Sequence, residues 1–421
     1  MMGNYLINIL FSYFRIPSLQ ITLFSTFVLV FASCLACEYP VVTPLSFDNV
    51  IAPVDANNVN DDASFQIVKV VPFNNTNPTS VAVDALRNLV YVSVNPGYPY
   101  NYTLSLCEEN ATIQQLAIAN SLSACSAIYV LDGNTGLIDK IIHLGPGEQV
   151  KDIAIDVEKR ILHASGEYNY LNVDPHSNEV IQFEDDVVFI IDSNNGSSFQ
   201  TSYDITRVTL YGEMEEGKEG DMSDIAVDTT TDTIYAGIRY FQGGREGVFV
   251  ISNDSIINNN SLGSDDTAND TKKGIRFIQI GDTGPDQVII NEATDTIYVS
   301  SKHDNFIAII NGSSNTIREE VILEKPRAMS LNPTDGLFYV ASGDSHWFNV
   351  INMSTNKVVA VNTQMSYPLA SVADNTTGRV YVANCLRCDD FDFTNGTSIY
   401  ELYSNGTTVN WETYENIDLK E

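Results

Sequence analysis

Cationic side chains are scarce in this sequence. Its 421 residues hold 22 Lys+Arg against 54 Asp+Glu, a formal net charge of −32. Such a surface repels nucleic acid, whose phosphates need cationic partners, so no nucleic-acid partner is expected. It attracts cations and basic proteins and suits an ionic exterior. Histidine is rarer still. His143, His163, His176, His303 and His346 are the five, and they show no paired metal-ligand spacing. No Ser/His/Asp or Cys/His arrangement, phosphate-cradling glycine loop or haem-attachment Cys-x-x-Cys-His can be picked out. Enzyme status stays open, with the balance against it.

Long apolar runs are also missing, with one exception. From Ile16 to Ala36 the chain is almost uncharged, with Arg15 before it and Glu38 after it. One positive charge, an apolar run and small residues at its end make a secretory signal. The run is also long enough for an uncleaved anchor. Ala32-Ser33-Cys34 adds a third option, a lipoprotein, with Phe31 where such a motif has Leu or Val. Residues 1–37 are thus a signal peptide or membrane anchor, and membrane contact is expected only there. All three options send the rest of the chain outside the cytoplasm, secreted or held on the outer face of the membrane. Twelve Asn-x-Ser/Thr sequons agree: Asn74, Asn101, Asn110, Asn195, Asn253, Asn259, Asn269, Asn311, Asn352, Asn375, Asn395 and Asn405. They suit a glycoprotein, and Asn-Gly-Ser/Thr is also good turn chemistry. Residues 38–64 read as a polar linker.

Cysteine is sparse, at six residues. Cys34 and Cys37 belong to the targeting region. Cys107, Cys125, Cys385 and Cys388 remain, and outside the cytoplasm disulfides are their default state. Four cysteines allow three pairings, of which Cys107–Cys125 with Cys385–Cys388 needs the least assumption. A bridge between the first and last units is the second option. A tetrathiolate zinc site using Cys385-x-x-Cys388 is the third.

What the chain does have is a repeat. Six short strands end in Asp or Asn: Ser80–Asp84, Asp152–Asp156, Asp224–Asp228, Gln287–Asn291, Ala328–Asn332 and Ala370–Asp374. Seven residues beyond each end come Tyr91, His163, Tyr235, Tyr298, Tyr339 and Tyr381. The terminal Asp/Asn accepts backbone N–H bonds in the turn. The turn closes at Asn88, Arg160, Asp232, Asp295, Gly336 or Gly378, mostly residues that suit tight turns. A second, β-rich strand carries the Tyr. A third follows, such as Ile128–Asp132 or Phe348–Asn352, and then a polar turn and a fourth, such as Leu137–His143, Thr316–Leu323 or Lys357–Val361. Four antiparallel strands repeated around an axis are the blades of a propeller, so residues 65–421 are expected to be all-β.

Ile297-Tyr298-Val299, Phe338-Tyr339-Val340 and Val380-Tyr381-Val382-Ala383-Asn384 resemble the YVTN-type β-propeller repeats of cell-surface proteins. The resemblance covers roughly residues 65–413 and implies fold rather than activity. Six blades are expected, with Phe65–Val70 completing the last. If Thr407–Thr413 is instead the sixth unit's own fourth strand, Phe65–Val70 belongs to a partial extra blade, and seven is the alternative.

Two candidate sites follow. Insertions at 94–126, 165–187, 237–247 and 383–398 crowd one face, which carries Tyr98, Tyr100, Tyr168, Tyr170, Tyr240 and Trp347. Aromatics on rigid loops suit protein or glycan partners at a cell surface. Alternatively, they fold the insertions onto the blade tops. Second, Asp152, Asp224 and Asp286 start consecutive first strands and would converge at the channel mouth. Three oxygen donors there suit calcium, with waters completing the shell. The resemblance to calcium-dependent propeller lactonases makes a calcium-dependent hydrolase the alternative to a binding or scaffold module. Lys151 and Arg327 are the competing partners for those carboxylates.

Overall fold

The computed structural model describes residues 9–11, 69–71, 76–96, 126–145, 147–173, 180–192, 204–210, 220–240, 246–252, 275–363, 365, 367–374, 379–385, 397–404 and 409–417. The expected leader segment Ile16–Ala36 and the linker lie outside them. Among the described residues, no helix is long and apolar enough to cross a membrane. The chain divides into two units, Asn75–Ile322 and Met1–Asn74 with Leu323–Glu421.

In the second unit, β1 (Ile9–Phe11) pairs with β2 (Lys69–Val71). The larger unit then holds four four-stranded antiparallel sheets. The first is β3 (Thr76–Asp84), β4 (Leu89–Pro96), β5 (Ala127–Asp132) and β6 (Ile138–His143). The second is β7 (Glu148–Asp156), β8 (Ile161–Val173), β9 (Val180–Asp192) and β10 (Asp204–Thr209). The third is β11 (Gly220–Asp228), β12 (Thr233–Tyr240), β13 (Gly247–Ser252) and β14 (Ile275–Gln279). The fourth is β15 (Gln287–Asn291), β16 (Thr296–Ser301), β17 (Phe306–Asn311) and β18 (Thr316–Ile322). The other unit adds a fifth sheet, β19 (Ala328–Asn332), β20 (Leu337–Ser342), β21 (Trp347–Asn352) and β22 (Lys357–Asn362). The sixth is β23 (Pro368–Asp374), β24 (Arg379–Cys385), β25 (Thr397–Ser404) and β26 (Val409–Ile417). Strand order in each sheet follows the chain, the meander of a propeller blade.

β26 completes the sixth sheet, and β2 pairs with β1 instead. Hence the described residues hold six four-stranded sheets, with β26 and not Lys69–Val71 as the outer strand of the last; residues 65–68 lie outside the described residues.

The turn chemistry explains why the strands stop where they do. Asp84 Oδ1 accepts the Arg87 N–H at 3.0 Å, Asp156 Oδ1 that of Lys159 at 2.9 Å, and Asp228 Oδ1 that of Thr230 at 2.9 Å. Asn88, Arg160, Asp232, Asp295 and Gly336 take φ of 55°, 61°, 56°, 48° and 67°. That left-handed step returns the chain into the second strand.

Burial then grades across each sheet. The central strands β16 and β20 are buried at every position, Thr296, Ser300, Ser301 and Ser342 included. Outer strands such as β18 are exposed nearly throughout. Within each unit, consecutive sheets bury their faces against each other. Tyr91 and Ile128 of the first pack with Ile153 and Phe189 of the second. Tyr235 and Val250 of the third pack with Ile297 and Ala308 of the fourth. In the other unit, Tyr339 and Phe348 pack with Val380 and Val382. Each such fully buried side chain contributes about 1.5–3 kcal/mol, so no sheet is stable without a neighbour. Tyr298 pairs between Ile289 and Ile309, and Tyr339 between Ser330 and Val350, equivalent central places in their sheets.

Residues 165–187, expected as a loop insertion, mostly continue the hairpin: β8 and β9 pair from Ile161↔Asp192 out to Val173↔Val180.

Candidate functional site

The first strands of the larger unit carry a ladder of polar side chains. Ser80, Asp152 and Asp224 each stand four residues before a turn acid, Asp84, Asp156 and Asp228. A register shift precedes each of them, between Pro78/Ser80, Val150/Asp152 and Met222/Asp224. Such bulges re-aim a side chain. Here they turn it toward the adjoining first strand. Ser80 Oγ donates to Asp152 Oδ1 and accepts the Ile153 N–H at 3.3 Å. Asp152 Oδ2 accepts the Ile225 N–H at 3.0 Å, and Asp224 Oδ2 accepts the Val288 N–H at 2.6 Å. The Asp152 carboxyl stands close enough to Asp224 to act on it electrostatically. Burial first, then the Asp152 carboxylate, hold the Asp224 acid well above the usual carboxylate range. Protonation of Asp224 therefore relieves the repulsion between the two acids. The ladder ties β3, β7, β11 and β15 into one series.

Asp286 does not occupy the third place. By register, Gln287 is the equivalent of Ser80: it faces Ser300 as Ser80 faces Ser93. One residue earlier, Asp286 accepts Arg239 Nη1 at 3.1 Å and the Lys302 N–H at 2.7 Å. Arg239 also reaches Asp221 at 3.3 Å, and Lys151 bridges Glu167 at 2.8 Å and Asp221 at 3.1 Å. Burial alone would lower the Lys151 ammonium, but Glu167 and Asp221 outweigh it and hold it above the usual lysine range. Lys151 thus neutralises a neighbouring acid network, Glu167 with Asp221, rather than Asp152 and Asp224. Among the described residues, no group of three His, Cys, Asp or Glu side chains is arranged to hold a metal ion.

At the start of β7, Glu148 is 8% exposed and sits opposite Tyr168 of β8. Its Oε1 accepts Arg207 Nη1 at 3.0 Å, and the Arg207 guanidinium lies 3.8 Å over the Tyr168 ring. Burial pushes the Glu148 carboxyl up to about 7, against the opposing pull of Arg207. Tyr168 is therefore committed to a cation–π stack. His163, where the repeat has Tyr, is fully buried and neither ring nitrogen has a hydrogen-bond partner among the described residues. Burial pushes it down to about 4.

In the other unit, Trp347 opens β21 and is 37% exposed. A 3-10 turn at Gly343–Ser345 precedes it, ending at His346 with φ 61°. The His346 and Tyr367 rings meet edge-on at 6.2 Å, and the Tyr367 hydroxyl donates to Asp344. An added Cβ at Gly343 would lie 2.8 Å from the Tyr367 ring, so only glycine lets that ring close over the turn. Trp347 follows that polar and aromatic turn directly in the chain.

Of the aromatics expected on the loop face, Tyr168 and Trp347 have described side chains. Tyr98 and Tyr100 lie outside the described residues. Tyr170 and Tyr240 fall on β8 and β12, with side chains outside them. Cys107, Cys125 and Cys388 lie outside them too, and Cys385 ends β24 with its side chain likewise undescribed. Arg207, Arg239, His346 and Tyr367 carried no sequence signal, because each matters through a residue remote in its sheet or on a separate loop.

No protein-family model and no curated protein matches the sequence. Solved structures do resemble the fold. A chain of the "Crystal Structure of Mitotic Checkpoint Complex" aligns over 88% of both chains with TM-score 0.51 and 11% identity. The RRP9 WD40 repeats align over 80% of both chains at TM-score 0.49 and 8% identity. The Myceliophteria thermophila Cps50 (Swd1) β-propeller domain covers 75% of this chain and 83% of its own, at TM-score 0.45 and 9% identity. With the six four-stranded sheets, the first of these likenesses places the chain in the β-propeller repeat class.

Proposed function

We propose that this protein is a cell-surface β-propeller that serves as a binding or scaffold module for protein or glycan partners. The observation that carries it is Trp347, an exposed indole on a rigid strand end that directly follows, in the chain, the turn of the Asp344–Tyr367–His346 patch. Large, preordered aromatics at a rim are the side chains that anchor interfaces. The similar chain in the mitotic checkpoint complex was solved within an assembly, which supports protein partners as a class. The apolar leader and the sequons support an extracytoplasmic, glycosylated setting, and that setting supports disulfides among Cys107, Cys125, Cys385 and Cys388.

The test is partner capture by immobilised protein from a cell-surface extract. Trp347→Ala is expected to lose the captured set at unchanged melting temperature. Retention of that set, unchanged in yield, overturns the assignment of this patch.

A further inference from the structure

The fifth sheet ends in an unusual edge. Among the described residues, β22 pairs on one side only, with β21, and reads Lys357-Val-Val-Ala-Val-Asn362. Val358 is 39% exposed, Val359 55% and Val361 45%. By register Val361 lies opposite Asn349 and so shares a face of the sheet with Trp347, while Val359 is the extra residue at the register shift between Ile351↔Val358 and Val350↔Ala360. Ala360 lies opposite Val350 on the other face and packs on the core. An exposed apolar edge is a template for another strand, and proteins guard such edges with charge. The other outer strands do so at interior positions: Asp139 and Lys140 in β6, Arg207 in β10, Arg276 in β14, Arg318, Glu319 and Glu320 in β18, and Glu412 and Glu415 in β26. β22 has Lys357 at its first position and no charge beyond it.

We infer that β22 receives an extended, basic segment of a partner protein by strand addition, with apolar side chains seated along Val359, Val361 and Trp347. Backbone hydrogen bonds supply affinity in this mode, and the side-chain strip supplies specificity. The occupant follows from charge. A second copy brings another −32 to the same edge and is repelled, whereas a basic strand is drawn in. This rests on the binding-module reading but uses a strand edge instead of the loop patch, so the two fail separately.

The experiment uses the full chain and two synthetic peptides of about ten residues, one alternating valine with lysine and one alternating valine with glutamate. Amide hydrogen exchange is followed along Lys357–Asn362. The expected result is exchange at least about tenfold slower with the valine–lysine peptide only. Val359→Lys, which alters one exposed side chain, is expected to abolish it, and Val359→Thr to retain it. Trp347→Ala is expected to weaken but keep it; protection that survives there while partner capture also survives leaves the edge standing and sinks the patch. Equal protection by both peptides, protection centred on another strand, no protection, or protection that rises with protein concentration alone overturns the inference.

Discussion

Asp152 and Asp224, both carboxylic acids, stand on adjoining strands of different sheets, close enough that Asp152 raises the Asp224 carboxyl beyond what desolvation alone does. A proton on Asp224 relieves the repulsion of two charges. Oδ2 of each takes a backbone N–H, from Ile225 for Asp152 and from Val288 for Asp224.

That arrangement makes stability depend on pH. The native state holds the Asp224 proton more tightly than the unfolded chain does. Stability is therefore highest below the unfolded carboxylate range and declines as pH rises through the native value. Asp286 adds to the repulsion, while Arg239 and Lys151 are engaged with Asp221, Asp286 and Glu167. Asp224→Asn keeps an amide donor for Asp152 and an acceptor for Val288. It is expected to stabilise the protein by about 1–2 kcal/mol at pH 8 and to flatten the pH slope. Urea melts of both proteins from pH 5 to 9 measure this.

His163 works in the opposite direction. Its native value of about 4 lies below the ordinary 6.5, so the unfolded chain takes the proton first. Stability is full above 6.5 and is lost as pH falls toward 4, by on the order of 2–3 kcal/mol. Asp156 and Asp232 limit the loss, while Lys159 adds to it. His163→Tyr restores the repeat residue, whose counterpart Tyr235 donates to Asn315 at 3.4 Å. The variant is expected to melt higher at pH 5, with a smaller gain at pH 7.5. No gain at either pH would show that the pocket cannot admit a phenol.

Glu148 supplies a third dependence. Its carboxyl stands at about 7 in the native state against 4.5 ordinarily, so its contribution fades as pH rises from 4.5 through 7. Glu148→Gln is expected to remove that slope, worth on the order of 2 kcal/mol. Carbon-detected titration of the Glu148 carboxyl gives its midpoint directly. Arg207→Met should move that midpoint up, because Arg207 pulls it down now.

Calcium tests the acid pair by another route. A cation at Asp152 and Asp224 would have to displace the Ser80 hydroxyl and two N–H donors. Calorimetry at pH 7 is expected to show no heat beyond dilution. Heat that accompanies proton release and vanishes in Asp152→Ala would install the calcium-dependent alternative.

Much of the fold was legible before any coordinates. The recurrence of terminal Asp/Asn and central Tyr placed the first two strands of each sheet, because turn capping and strand burial are local properties of spacing. Asn88, Arg160, Asp232 and Asp295 were readable as turn ends, and all take the left-handed conformation. The continued pairing of β8 and β9 through 165–187 was missed, since polar residues such as Glu167, Asp185 and Asp186 mask the alternation there.

The chain by itself determined its sheets, its turns and the kind of surface it shows, because each is set by neighbours a few residues apart. Tertiary structure alone decided which acids meet. Asp152 and Asp224 stand four residues before their turn acids, and Asp286 stands five before Asn291. A single-residue step in register sends Asp286 to Arg239, while bulges turn Asp152 and Asp224 toward each other. Successive strand residues point to opposite faces, so one residue of register reverses a side chain's partners, and only packing settles it.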